Sequence, residues 1–303
     1  MAEASYSIKD LEHLSGIKAH TLRIWEQRYN LINPKRTGTN IRYYDQNDLK
    51  LILNVSLLKD HGHKISNIAK MSLEEMHEEV KKLAEKPSGF ADQIYALTLS
   101  MIDLDEERFE KIISTNSLKL GFERTMLNII YPFLSKIGIM WMTDSINPAQ
   151  EHFISNLIRQ KVIVAIDGQF HSAQSMDNAK KYMLFLPQGE LHELSLLFAS
   201  YLIQSRKNRV IYLGQNMPFE DLEAAYQVHK PDYLLTVMTS KPNGFSAQDY
   251  VSKLSEAFPE TEILLSGSQV IGEDLSIPEN ITQIANPHIL VSFIEEQVTV
   301  AAK

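Results

Sequence analysis

Near the start of the chain, apolar residues recur at helical spacing in two short runs: Ile8, Leu11 and Leu14, then Leu22, Trp25 and Tyr29. Ser7 stands before the first run as an N-cap, and Gly16 ends it with a tight turn. The pattern predicts helix, short turn, helix, with the second helix starting near Lys18. The stretch "PKRTGTNIRYY" then predicts a turn and a small hairpin. Asp45 caps a further helix, and "HGHKISNIAKM" turns into another. "SLEEMHEEVKKLAEKPSGF" reads as an exposed connecting helix broken by a hinge at Pro87, Ser88 and Gly89.

Helical periodicity fills residues 90–172, with Asp105 and Asn147 as caps and Gly121, Pro132 and Asp144 as breaks. Four such helices pack as a bundle. From residue 180 the period changes. "YMLFLP", "RVIYLG", "DYLLTVM" and "EILLSG" are strand-like, each followed by a helical stretch, and a short strand near "ITQIA" precedes the helix over "HILVSFIEEQV". Such alternation predicts a doubly wound parallel sheet, whose ligands sit beyond the C-terminal ends of the strands. The expected chain is therefore multidomain. A winged helix-turn-helix head (1–75) is followed by a connecting helix and hinge (76–89), a four-helix bundle (90–175) and an α/β flavodoxin-like domain (180–303).

The sequence has 303 residues, 44% hydrophobic and 22% charged, ordinary proportions for a well-cored chain. It has no cysteine, which excludes disulfides, thiolate zinc sites and cysteine nucleophiles. No run of 18 apolar residues exists, and the N-terminal stretch lacks the features of a secretory signal, so a cytoplasmic location is expected. Net charge is −8, yet residues 1–70 carry +4 and the remainder −12. A basic head on an acidic body suggests that the head meets a polyanion.

The basic residues fall where a winged helix would use them. Lys18, His20, Thr21 and Arg23 lie near the start of the second helix, which meets base edges and phosphates. Lys35, Arg36 and Arg42 lie on the hairpin, a wing that clamps the backbone, and Arg28 and Tyr43 complete the candidate DNA-binding set. The spacing of Thr21, Leu22, Arg23, Trp25, Glu26, Arg28, Tyr29, Leu31, Pro34, Arg36, Arg42 and Tyr44 resembles the signature of the MerR family of winged-helix DNA-binding domains. That resemblance covers about the first 70 residues and implies binding of duplex DNA, with a dimer or larger assembly placing two heads on a pseudo-palindromic or repeated operator. Trp25 and Tyr29 are expected in the core.

In "PQGELHELS", His192 falls just past the end of the first strand of the sheet domain, between Glu190 and Glu193. A Ser/His/Asp hydrolase needs a G-x-S-x-G elbow, which is absent. A dinucleotide site needs G-x-G-x-x-G after the first strand, and "PQGELHELS" is not that. Glu190 with His192 is a thin set for zinc. A lone histidine at a helix start is also commonly a plain surface residue. The order of bundle, first strand and E-x-H-x-x-(small) is similar to cobalamin-binding modules of the methionine synthase type. That resemblance implies His192 as lower cobalt ligand, with Glu190 holding the imidazole. The whole chain resembles the MerR-type cobalamin photoreceptor repressors (the CarH and LitR group). In those a Trp-x9-Glu-His pattern, matched by Trp141, Glu151 and His152, caps the upper adenosyl face of the cofactor.

The resemblance has departures. Ser195 stands where the family has Gly beside the corrin tail, and Thr236 replaces a Ser after the third strand. Ser266-Gly267 replaces a Gly-Gly pair lining the channel for the nucleotide tail, and Met142 stands where some members have a His. The resemblance implies a non-enzymatic regulator of repressor type that self-associates to a dimer or tetramer under control of adenosylcobalamin and light. Two alternatives stay open at this stage. One is a mutase or methyltransferase component; the other is a regulator whose degenerate sheet domain serves protein contacts without cobalamin.

Overall fold

Two helices of the head begin with a capping box, in which side chains replace the missing backbone partners. Ser7 accepts the amide of Asp10 while the Asp10 carboxylate accepts the amide of Ser7, and this capping box opens α1 (Ile8–Ser15). Gly16 closes α1 at φ 74°, a conformation that costs glycine nothing. Helix α2 (Ala19–Tyr29) buries Leu22 and Trp25, with Tyr29 half-buried. Strands β1 (Lys35–Arg36) and β2 (Arg42–Tyr43) pair antiparallel, Arg36 opposite Arg42, as the expected hairpin. An isolated bridge between Tyr6 and Tyr44, both buried, ties the chain start to the base of the wing. Asp45 and Asp48 form a second capping box at α3 (Gln46–Asp60), which is followed by α4 (Ile65–Ile68) and α5 (Leu73–Glu85).

The computed structural model describes residues 6–85, 90–142, 146–169, 179–240 and 246–301. The hinge residues Pro87, Ser88 and Gly89, and Asp144, lie outside these. The chain divides into two units, Met1–Asn156 and Leu157–Lys303.

The bundle consists of α6 (Phe90–Asp103), α7 (Glu106–Leu120), a third rod and α10 (Pro148–Asp167). The third rod runs through α8 (Phe122–Thr125), a π-turn (Met126–Ile130) and α9 (Tyr131–Met142). Pro132 was expected to break it and does not. The wider π-turn immediately before it relieves the clash that a proline ring makes with the carbonyl four residues earlier. Asp105 and Asn147 act as caps, accepting the amides of Arg108 and Gln150 at 2.9 and 3.0 Å.

Sequence periodicity separates head from bundle, yet a polar seam packs them into one unit. Ser56 Oγ and Tyr95 Oη both donate to the Ser15 carbonyl, at 2.8 and 2.9 Å, gripping the last turn before the recognition helix. Gln46 of α3 and Gln150 of α10 both donate to the Ile102 carbonyl, at 3.0 and 3.2 Å. Lys50 pairs with Asp103, and His61 Nε2 lies 3.1 Å from Asp92. The Lys136 ammonium of α9 sits 4.3 Å from the centre of the Tyr95 ring. None of these pairings follows from helical spacing, because each joins residues distant in sequence.

In the second unit, five parallel strands run β3 (Lys181–Pro187), β4 (Arg209–Met217), β5 (Tyr233–Val237), β6 (Glu262–Ser266) and β7 (Ile281–Gln283). Their spatial order is β4-β3-β5-β6-β7, the flavodoxin-like winding. β3 is an interior strand between β4 and β5 and is buried on both faces, which is why "YMLFLP" reads as a continuous apolar run. Helices α11 (Leu194–Ser205) and α14 (Pro287–Ala301) pack together, α14 placing Phe293 edge-on to Tyr233, which stacks on Tyr182. Helices α12 (Phe219–His229) and α13 (Ala247–Ala257) bury Leu222, Val251 and Leu254 against Met183, Phe185, Leu234 and Ile263. The helix expected after β6 is replaced by an irregular segment over 267–280, where Gly267 and Gly272 adopt positive φ and Pro278 follows.

Candidate functional site

The winding reverses between β3 and β5, so the loops after these two strands face each other across the crevice where such sheets bind ligands. Glu190 and His192 lie on the first loop, Thr239 and Ser240 on the second. Glu190 is 2% exposed. One of its oxygens accepts the amides of Leu191 and His192, both at 2.9 Å, and His192 Nδ1 at 2.6 Å. The other accepts the Thr239 amide and hydroxyl, both at 2.7 Å, and the Ser240 amide at 2.6 Å. Burial by itself would raise this carboxyl's pKa. The hydrogen bonds from the His192 ring and amide, the Ser240 amide and the Thr239 hydroxyl outweigh it and hold the pKa far below the ordinary carboxylate range. The ion is therefore a fixed negative charge.

A carboxylate only accepts, so Nδ1 of His192 carries a proton, and in the neutral ring Nε2 carries the lone pair. The His192 side chain is 70% exposed, beside Leu191, itself 62% exposed. β4 fastens the loop from the other side. Asn216 accepts the Gly189 amide through its side chain at 2.9 Å and donates its own amide to the Glu190 carbonyl at 3.2 Å. Glu193, the N-cap of α11, accepts Arg159 of α10 at 2.9 Å and the Tyr212 hydroxyl at 3.1 Å.

Among the other candidates, Ser195 is half-buried in the first turn of α11. Thr236 is fully buried on β5, and its hydroxyl has no partner among the described residues. Ser266 donates to the Ile284 carbonyl at 2.6 Å. Gly267, at φ 107°, leaves no room for a side chain: a Cβ would lie 2.2 Å from the Met238 carbonyl oxygen. That contact seats the loop carrying Thr239 and Ser240, so Gly267 supports Glu190 from two strands away. Thr239, Ser240 and Asn216 escaped the sequence reading. A Thr-Ser pair directly after the strand opposite the switch point is the signal that could have found the first two.

In the bundle, Glu151 lies in the first turn of α10, accepting Ser155 Oγ at 2.6 Å and lying 2.8 Å from Nδ1 of the exposed His152. Trp141 is in the last turn of α9; its side chain, like that of Met142, lies outside the described residues.

In the head, His20, Arg23, Arg28, Arg36 and Arg42 are exposed, while Thr21 and Tyr43 are half-buried. Lys18 pairs with Glu12 at 3.1 Å, Arg36 binds Asn40 Oδ1 at 2.8 Å, and Arg42 lies 3.9 Å from Glu26. Lys35 reaches Asp45 at 2.5 Å and Asp48 at 3.4 Å, so its charge is spent on the cap of α3. The hydrogen bond to Asp45 raises its pKa. The structure thus gives Lys35 a role inside the head beside the phosphate contact expected of it.

A winged helix-turn-helix on a helical bundle, joined to a flavodoxin-like sheet with an imidazole at its switch point, defines a DNA-binding regulator. The chain belongs to the MerR family of transcriptional regulators and carries a B12-binding domain. Residues 6–75 match the MerR HTH family regulatory protein, and residues 93–165 match a B12 binding domain. The HTH-type transcriptional repressor CarH of Myxococcus xanthus is 27% identical over 86% of this chain and 87% of its own length. The repressor CarA of the same organism is 26% identical over 82% and 81%. The HTH-type transcriptional regulator YyaN of Bacillus subtilis is 30% identical over 38% of this chain and 88% of its own. In fold, 65% of this chain superposes on 94% of the monomethylamine corrinoid protein of Methanosarcina barkeri, with a TM-score of 0.52 at 12% identity. The MerR match and the CarH, CarA and YyaN relatives place the chain among transcriptional regulators. No helix among the described residues is long and apolar enough to cross a membrane.

Proposed function

We propose that this chain is a transcriptional repressor whose self-association and operator binding are controlled by adenosylcobalamin and by light. The observation that carries the cobalamin reading is the sixfold hydrogen-bonded Glu190 carboxylate, which fixes the neutral tautomer of His192 with its lone pair on Nε2, the form that ligates a metal. Among the described residues no cluster of three His, Cys, Asp or Glu side chains could hold a bare metal ion. A single oriented imidazole suits a metal whose remaining positions are filled by a macrocycle. The buried Thr236 hydroxyl, which has no partner among the described residues, and the exposed Leu191 beside the imidazole also suit a large, partly apolar ligand with polar groups.

When bound, cobalamin supplies a cobalt–carbon bond that light can break. This chain's residues do the rest. His192 would hold the cobalt, with Glu190 orienting its ring; Trp141, Glu151 and His152 would cover the adenosyl group; Ser195, Thr236, Ser266 and Gly267 would line the path of the nucleotide tail. Self-association would place two or more heads on an operator, so affinity for DNA follows assembly. A ligand shifts such an assembly only through different affinity for its two states. The seam supports transmission: Gln150, next to Glu151, shares the Ile102 carbonyl with Gln46 of the head. Residue 142 is Met rather than His, so this position would offer the cobalt no imidazole.

The test is to load the chain with adenosylcobalamin in the dark, record its visible spectrum, and run size-exclusion chromatography before and after green light. A cobalamin spectrum that changes in His192→Ala, with a light-dependent change in elution, is expected. A colourless protein would refute cobalamin binding and favour a sheet domain used for protein contacts. Unchanged elution with cobalamin bound would refute the switch alone.

A further inference from the structure

At about 100° per residue, His20, Arg23, Ile24 and Gln27 form one stripe of α2 at spacings of three, four and seven residues. The stripe lies opposite Leu22 and Trp25, which face the core, and all four of its members are exposed. Glu26, on the flank, faces the wing: it accepts the Tyr44 hydroxyl at 3.2 Å and lies 3.9 Å from Arg42. The outward stripe is therefore the part of the helix that meets whatever the head docks upon. Lys18 at the N-cap of α2, Arg28 in its last turn, and Arg36 and Arg42 on the wing join Arg23 in a segment carrying net positive charge within an acidic chain. That charge selects a polyanion as occupant, and the helix-turn-helix form selects the major groove of duplex DNA.

Ile24 is out of place on such a stripe by any packing argument. It is 50% exposed, among charged and polar neighbours, where a helix gains nothing from a bare aliphatic group. Gln27 stands one turn further on, about 4.5 Å along the axis and close to the ~3.4 Å spacing of neighbouring bases.

We propose that Ile24 and Gln27 are specificity-determining residues of the head: Ile24 receives a thymine methyl group and Gln27 binds an adenine in bidentate fashion. The inference rests on the DNA-binding reading and deepens it. In the major groove only thymine presents a methyl group, and only adenine pairs an N7 acceptor with an N6 donor that matches an amide. The remaining basic residues position the helix without reading sequence. The half-site is thus expected to hold a thymine and an adenine in neighbouring base pairs.

The experiment starts from duplexes that the full-length chain itself enriches from a randomised library, with and without adenosylcobalamin in the dark. Each thymine of the enriched half-site is then replaced by uracil, which removes only the methyl group, and each adenine by 7-deazaadenine, which removes only N7. At one thymine the uracil duplex should bind about fourfold more weakly, the worth of one buried methyl group. In Ile24→Ala that penalty should vanish. At a neighbouring adenine the 7-deaza duplex should lose about tenfold, and Gln27→Ala should erase the loss. Both variants should keep the wild-type salt slope, because neither removes a phosphate contact. Penalties absent from the wild type, or persisting in the variants, would overturn the proposal while leaving DNA binding intact. Failure to enrich any duplex would overturn the DNA-binding reading, and the proposal with it.

Discussion

Lys136 is a half-buried lysine in the interior of the seam, with its ammonium over the Tyr95 ring and its pKa pushed down to about 8 by burial. The folded state thus favours the neutral amine, while the unfolded chain keeps a value of 10.5. Below pH 8 both states hold the proton, and the cost of burying charge is fully present. Between about 8 and 10.5 the unfolded state binds more protons than the folded one, so stability rises with pH. A depression of this size corresponds to roughly 3 kcal/mol. The cation–π contact with Tyr95 opposes it by about 1–2 kcal/mol. Replacing the ammonium by an apolar end of similar length, Lys136→Met, is therefore expected to stabilise the first unit by ~1–2 kcal/mol at pH 7. The gain should shrink as pH climbs to 10. The assay is urea denaturation followed by tryptophan fluorescence, since both tryptophans, Trp25 and Trp141, belong to the first unit. Comparing variant with wild type at each pH removes the contribution of tyrosines such as Tyr6 and Tyr44, whose burial raises their pKa to about 12. A variant that is less stable at pH 7, or whose advantage does not change with pH, would refute the reasoning.

Four further substitutions have expected outcomes. Glu190→Gln points an amide at donors only, so it should destabilise the second unit by roughly 2–4 kcal/mol without any ligand; because the folded-state pKa is depressed, the difference should be present above pH 4.5 and fade as the pH falls below it, as read by denaturation followed by circular dichroism. Gly267→Ala forces a Cβ against the Met238 carbonyl at positive φ and should cost about 2–4 kcal/mol, with the His192 ring resonances shifting in NMR as Thr239 and Ser240 move. Arg42→Ala should flatten the salt dependence of DNA binding by about one phosphate contact, whereas Lys35→Ala should lower the thermal midpoint more than it changes that slope, because Lys35 holds the cap of α3.

The local code of this chain is written in short stretches, and those stretches were legible. Ser7 with Asp10, Gly16, and Asp45 with Asp48 mark helix ends because a cap acts within one turn, over a distance that sequence spacing measures directly. The apolar run of β3 announced a buried strand, because a strand buried on both faces has no polar side to alternate with. The same local logic put His192 and Glu190 together, being two residues apart on one loop. It failed at Pro132, where the preceding π-turn rather than the proline decides the path, and after β6, where no periodicity separates a helix from a packed loop. Contacts between distant segments lay beyond it altogether. The tertiary fold alone brought Thr239 and Ser240 under Glu190, lodged Gly267 against Met238, spent Lys35 on the cap of α3, and set Lys136 over Tyr95 at the base of the recognition helix. Sequence spacing measures neighbours along the chain. Which loops share a switch point, and which helix faces share a seam, is decided by the three-dimensional packing that buries the most apolar surface while leaving each buried polar group a partner.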